Sequence, residues 1–337
     1  MSELSFSSFC GWLKFRHLLL IDTLGRTRNM HLAAQQMNLS QPAISKMLKE
    51  IESLLGFALF ERQPRSMPPT ALGEHVLRYA QIALNDARSF VEQIGSLREG
   101  GHGHLKVGGI FAATAIALPE AILQIKQRWP LLSIEVVEQT SNHLMEMLEE
   151  KKLDLAVARF TEQGQQQRYD FQPLAPEPFC IVVNSQHPLA EAGPTSLQQL
   201  VDLPWILYPV GTPIRARMER AFAEAGVAMP KNTVDTISMQ TFLQVLRRGP
   251  MIGMLPDAMV DSLLESGQLK TLDTPLHLAP QDYGILTRKG EPLVGAALEF
   301  AEILKENARL AGNACRSEPV ESSHRRDDGG SSDLIGD

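Results

Sequence analysis

One short stretch of this 337-residue chain carries residue types suited to reading a nucleic acid. On a helix beginning at Gln41, the side chains of Gln41, Pro42, Ser45, Lys46 and Lys49 fall on the outer arc. Ile44, Leu48, Ile51 and Leu55 share a narrow opposite arc and form a buried stripe. The outer arc is polar or cationic and free of acids. Glutamine and serine can read base edges, and lysine can contact a phosphate or a guanine. A charged helix face alone is usually solvated surface. The basic residues Arg62 and Arg65, a few residues beyond the helix, make this combination more specific.

The elements that must hold this face are legible around it. Asn29 is suited to cap a short helix over Met30–Met37, in which Ala33 and Ala34 allow a close helix crossing. Asn38-Leu39-Ser40 is a tight break, Ser40 caps the next helix, and Pro42 is tolerated in its first turn. Gly56 ends that helix. An extended piece, Ala58 to Arg62, and a proline-bearing return, Pro64 to Pro69, follow before Thr70 opens a long helix. Two helices across a three-residue break have the spacing of a helix-turn-helix.

Charge is distributed to match. From Trp12 to Ser66 eight Lys or Arg face four acids, so this window is +4 while the rest of the chain carries −11 of the total −7. A basic module is attached to an acidic body, whose net charge argues against nucleic-acid binding along its whole length. The length predicts two or three domains. No run of about 18 apolar residues predicts a membrane helix, and the Ser-rich start lacks a basic leader region. A cytoplasmic protein without membrane association is expected. Cys10, Cys180 and Cys315 are far apart and read as inert thiols. His102 and His104 lie in a glycine-rich hinge and read as solvated residues, so no metal and no cofactor is expected. No G-x-S-x-G, P-loop, H-E-x-x-H or dinucleotide fingerprint is present, and an enzyme is not predicted.

In the long helix Val76, Ala80, Ala83, Ala87, Phe90, Ile94 and Leu97 recur at alternating spacings of four and three. This heptad stripe suits a seam between two chains, with a second stripe, Leu77, Leu84 and Val91, left for its own domain. The alternative is that the first stripe faces its own domain. From Leu105 onward strand-like runs alternate with helices, which implies an α/β body with parallel sheets and ligand crevices at strand ends. The polar residues after Gly312 read as disordered.

The stretch from Leu32 to Lys46, LAAQQMNLSQPAISK, resembles the signature of LysR-type transcriptional regulators. Ile51-Glu52, Leu55-Gly56, Leu59-Phe60-Glu61-Arg62 and Thr70-Ala71-Leu72-Gly73 follow at matching distances. Lys106-Val107-Gly108-Gly109, Leu153-Asp154-Leu155-Ala156-Val157 and Gly253-Met254-Leu255-Pro256 extend the likeness to about residue 310. The chain departs from the pattern in starting about a dozen residues early, in His31, and in its polar tail.

The resemblance implies a winged helix-turn-helix (12–72), a linker helix for dimerisation (73–99), a two-lobed effector-binding domain like the periplasmic binding proteins (103–312) and a disordered tail (313–337). It implies DNA contacts by Ser40, Gln41, Pro42, Ser45, Lys46, Lys49 and Arg62. For the effector crevice it implies Ala112, Ala113, Thr114, Thr140, Ser141, Arg159, Thr212 and Ser238, with Arg159 suited to clamp a carboxylate. Expected partners are double-stranded DNA, a small organic acid or sugar, RNA polymerase, and further copies of the chain in a dimer or tetramer. The segment from Pro209 to Arg215 resembles a subgroup that answers sugar or aromatic-acid signals. The expected role is control of catabolic or transport genes. A solute-binding protein is the alternative, which would explain two lobes but not the first hundred residues.

Overall fold

The structure is a computed structural model that describes residues 5–63, 66–161, 164–276 and 278–317. The N-terminal unit is helical: α1 (Phe6–Trp12), α2 (Phe15–Thr27), α3 (Met30–Gln36), α4 (Gln41–Leu55) and the long α5 (Ala71–Arg98). Leu20, Ile21, Leu24, Ala33, Ile44, Leu48 and Ile51 are buried against one another, so the three short helices α2 to α4 share one core. Asn38 takes the left-handed conformation (φ 53°) in the break between α3 and α4. Asparagine tolerates that region better than most residues.

The rest of the chain forms two lobes. It runs through β1 (His104–Gly109), a π-helical turn Ala113–Ala117, α6 (Leu118–Arg128), β2 (Ser133–Glu138), α7 (Ser141–Glu149), β3 (Leu155–Ala158) and β4 (Tyr169–Glu177). It then enters the second lobe with β5 (Phe179–Asn184), α8 (Leu197–Val201), β6 (Trp205–Leu207), α9 (Pro213–Glu224), β7 (Thr233–Asp235), α10 (Met239–Arg248), β8 (Ile252–Pro256), α11 (Asp257–Glu265) and β9 (Leu269–Thr271). It returns with β10 (Gln281–Arg288) and ends in α12 (Gly295–Ser317). The sheets have strand orders β2-β1-β3-β10-β4 and β7-β6-β8-β5-β9.

Neither sheet is wholly parallel. β10 lies antiparallel to β3 and β4, and β5 lies antiparallel to β8 and β9. The chain crosses between lobes twice, after β4 and after β9, and the strand that follows each crossing, β5 and β10, runs against the parallel set of its sheet. The sequence reading does not anticipate β4, because Pro173 and Pro176 sit within it; prolines usually argue against a strand, but β4 is the edge of its sheet, where they are tolerated. The first five residues of the expected disordered tail, 313–317, continue α12; residues 318–337 lie outside the described residues.

Candidate functional site: a DNA-reading face and a cleft between lobes

The geometry of α4 follows from its ends. The Ser40 hydroxyl accepts the Ala43 N–H at 3.3 Å, Pro42 occupies the first turn, and Gly56 closes the helix in the left-handed conformation at φ 80°. Ile44, Met47, Leu48 and Ile51 point inward. This leaves Gln41, Pro42, Lys46 and Lys49 exposed and Ser45 half-buried on the outer side. α3 is capped by the Asn29 side chain, which accepts the His31 and Leu32 N–H groups at 2.9 and 3.1 Å.

Beyond α4 the chain folds back on itself. Phe60 bridges Pro69, and Glu61 N–H donates to the Pro68 carbonyl at 2.8 Å. The Glu52 carboxylate accepts the Leu59 N–H at 2.9 Å, so α4 itself holds the base of this wing. Arg62 is exposed on it; Pro64 and Arg65 lie outside the described residues. His31 hydrogen-bonds the Gln35 amide at 3.0 Å.

A second site lies between the lobes, in a cavity of about 110 Å³. The first lobe supplies Ile110, Phe111 and Ala112 after β1, Glu138 to Ser141 between β2 and α7, Arg159 after β3, and Glu177 at the end of β4. The second supplies Phe179, Tyr208, Thr212 to Ile214, Ile237 and Pro256. Strand ends and helix starts converge here, as they do in crevices of open α/β sheets. Of the eight anticipated residues, the structure brings Ala112, Thr140, Ser141, Arg159 and Thr212 together in the lining.

Three anticipated effector residues do not line it. Ala113 is fully buried in the core of the first lobe. The Thr114 hydroxyl is spent locally on the Phe111 carbonyl, at 2.9 Å, and on the Glu138 carboxylate, because the π-helical turn directs it toward β2. Ser238 caps α10, accepting the Thr241 N–H at 3.3 Å. Helix-start hydroxyls often satisfy their own helix in this way.

Arg159 is also not the open clamp expected. Its guanidinium is buried and paired with Glu177, and its Nε has no partner in the described structure. Burial pushes the Glu177 carboxyl above its ordinary range, although the adjacent Arg159 pulls it down. Burial likewise raises the Tyr208 phenol, with the Glu177 charge as the second cause, so it is a neutral donor. Sequence reasoning misses Glu177 because it terminates the missed strand β4. Tyr208, Phe179 and Ile237 carry no sequence signal that separates a cleft wall from a core position.

The long helix divides its stripe. Ala80 is fully buried and Val76 and Ala83 pack on the core of their own helical unit, whereas Phe90, Ile94 and Leu97 are exposed. Thus the expected interchain seam over Val76–Leu97 is corrected in its first half, which α2 covers. Val91, assigned to the same-chain stripe, is 67% exposed.

A helix-turn-helix whose exposed face carries no acid from Gln41 to Lys49, joined by a long helix to two lobes around a small cleft, is the organisation of a ligand-responsive transcription regulator. Family comparison gives the same result. The family described as "Bacterial regulatory helix-turn-helix protein, lysR family" matches residues 15–74, and "LysR substrate binding domain" matches residues 98–309. The chain belongs to the LysR family of bacterial transcriptional regulators, with a DNA-binding and an effector-binding domain.

Among its relatives is the HTH-type transcriptional regulator GbpR of Azospirillum brasilense, 30% identical over 83% of this chain and 82% of that protein. The fold is shared with full-length CbnR solved with its target DNA, at a TM-score of 0.62 and 19% identity over 87% of this chain and 99% of that one. It is also shared with a full-length OxyR variant from Pseudomonas aeruginosa, at a TM-score of 0.55 and 24% identity over 88% of this chain and 95% of that one. Among the described residues, no helix is long and apolar enough to cross a membrane and no group of His, Cys, Asp and Glu is arranged to hold a metal ion.

Proposed function

We propose that residues 12–72 bind promoter DNA by inserting α4 into the major groove. Gln41 and Ser45 then read base edges, Pro42 packs against the bases or sugars, and Lys46 and Lys49 contact phosphate or guanine. Ser40 sets the helix start and Arg62 reaches the flanking backbone from the wing. The observation that carries this reading is the exposed face of α4, cationic and acid-free from Gln41 to Lys49. The chain acts in the cytoplasm as a homodimer or homotetramer, joined through residues 73–99, and communicates with RNA polymerase to control catabolic or transport genes.

Residues 103–312 hold the effector, a small organic acid or sugar, in the cleft between the lobes. The charge of the lining favours the sugar. An acid would meet Arg159 already held by Glu177 and a second carboxylate, Glu138. A neutral polyol would find the Tyr208 phenol and the Ser141 hydroxyl.

Gel shifts on the DNA upstream of the chain's own coding sequence test the first part. Lys46→Ala should weaken binding to every sequence and reduce the slope of log affinity against log salt by about one. Gln41→Ala should relax base preference at one position, at a cost of about 1–3 kcal/mol. Wild-type behaviour by both variants would refute the assignment of α4.

A further inference from the structure

α1 lies outside the matched family segment, which begins at residue 15. It is nevertheless anchored to the DNA-binding unit. The Phe9 ring meets Tyr79 of α5 edge-on at 5.8 Å, and the Trp12 ring lies 4.6 Å from that of His17 on α2. Trp12 and Leu13 pack on the shared helical core. This arrangement carries Trp12 to the outer side of α4, where it lines one open groove with Pro42, Ser45, Lys46, Lys49, Glu50, Ser53 and Leu54.

Trp12 is only half-buried there. The indole N–H groups of Trp129 and Trp205 donate to Glu299 and to the Leu200 carbonyl. Among the described residues no such bond engages the N–H of Trp12. The surroundings are cationic: Lys46 and Lys49 share the groove, and burial together with the charges of Arg16 and Lys14 holds the adjacent His17 below its ordinary range. Glu50 is the one acid on the groove wall, and it disfavours an anion on its own side.

We propose that Trp12 is a further DNA contact, its indole N–H donating to a backbone phosphate beside the groove read by α4. The inference rests on the assignment of α4 as the reading helix. Base edges are approached by the first turns of such a helix, Gln41 to Lys46 here, whereas Trp12 also borders its later turns, out to Ser53 and Leu54. At that height the flanking backbone runs past the helix. Indole is a donor only, which suits a phosphate oxygen. Such a contact adds no charge, so it positions the domain on any duplex and releases no counterion.

The test uses the full-length chain and a fluorescein-labelled duplex of mixed sequence, with anisotropy read across a salt series. Trp12→Phe keeps a ring against His17 and removes the N–H. It should weaken binding by about two- to tenfold, the range for one lost hydrogen bond, with the salt slope and the melting temperature unchanged. Lys46→Ala in parallel should lower the slope. Intrinsic tryptophan emission should change when unlabelled duplex is added to the wild type and not when it is added to Trp12→Phe. Wild-type affinity in Trp12→Phe beside weakened Lys46→Ala would overturn the Trp12 contact and leave α4 assigned. Wild-type binding by both would overturn both. A loss of affinity matched by a lower melting temperature, or emission indifferent to DNA in the wild type, would make Trp12 a packing residue and overturn the contact.

Discussion

His17 shows how a single buried ring ties the stability of the reading domain to pH. It is 4% exposed, its Nδ1 accepts the Lys14 N–H at 3.3 Å, and Trp12 covers it. Burial first, then the charges of Arg16 and Lys14, disfavour its protonated form and hold it below the ordinary histidine value of 6.5. The unfolded chain therefore binds the proton more readily than the folded one. Stability from this residue is complete above pH 6.5 and is lost as pH falls from there through the folded value. His17→Phe removes the titration and keeps a ring. Melting temperatures of the two proteins, followed from neutral pH downward, should diverge, with the wild type losing stability faster; parallel curves would refute the assignment.

Among the elements, α5 performs two tasks with one surface. Its first turns are committed to the DNA-binding unit. Gly73 packs so closely that a Cβ there would lie 2.0 Å from the Leu59 carbonyl oxygen, so only glycine lets α5 start against the base of the wing. Its last turns expose Phe90, Val91, Ile94 and Leu97, between 41% and 67%. A cluster of that size on one helix end is the kind of surface that an oligomer covers. The dimer contact is accordingly expected in the second half of α5. Ile94→Glu should convert dimers to monomers in sedimentation and weaken DNA binding by removing the second reading helix. Ala83→Glu is the weaker test, because Ala83 packs on its own domain. Sedimentation of Ile94→Glu at the wild-type rate would rule out this contact.

Across the whole molecule, one helix joins the cleft to the linker. α7 begins at Ser141 in the cavity wall and ends against α5. There the Glu150 carbonyl accepts the Asn85 amide at 2.7 Å and Lys151 pairs with Asp86 at 3.0 Å. Lys106 on β1 pairs with Glu92 of α5 at 2.6 Å. If an effector closes the lobes, the cleft end of α7 is expected to shift, and these contacts offer a route by which α5 would receive that shift. A ligand drives the change only by binding one arrangement better than the other. Two variants separate binding from transmission, once a thermal-shift screen of sugars and small carboxylates has identified a ligand. Ser141→Ala should weaken that ligand by about 1 kcal/mol or more in calorimetry. Asn85→Ala should leave its affinity near wild type while reducing the ligand-induced change in DNA bending. Equal effects of both variants on both readouts would refute this division.

Much of the geometry of the exposed face of α4 was legible in the sequence, because its determinants are local. Capping at Asn29 and Ser40, the proline in the first turn, the glycine stop and the buried stripe of α4 all act within one or two helical turns, and the stretch from Leu32 to Lys46 carries the family likeness. The α/β character of the body was legible from alternating strand and helix patterns for the same reason, whereas its two lobes were implied by the family likeness and its antiparallel strands β5 and β10 by neither. Only the tertiary structure decided the polar chemistry of the cleft. Arg159 and Glu177 come from different strands and neutralise each other at close range, and the Thr114 hydroxyl turns to Glu138 through a π-helical turn that no periodicity announces. It also decided which half of the α5 stripe is covered, since α2 and α5 lie far apart in the chain and a repeat of apolar residues does not say what it packs against. The position of Trp12 beside α4 belongs with these: a lone tryptophan ahead of the matched segment acquires a neighbourhood only when α1 folds back on α2 and α5.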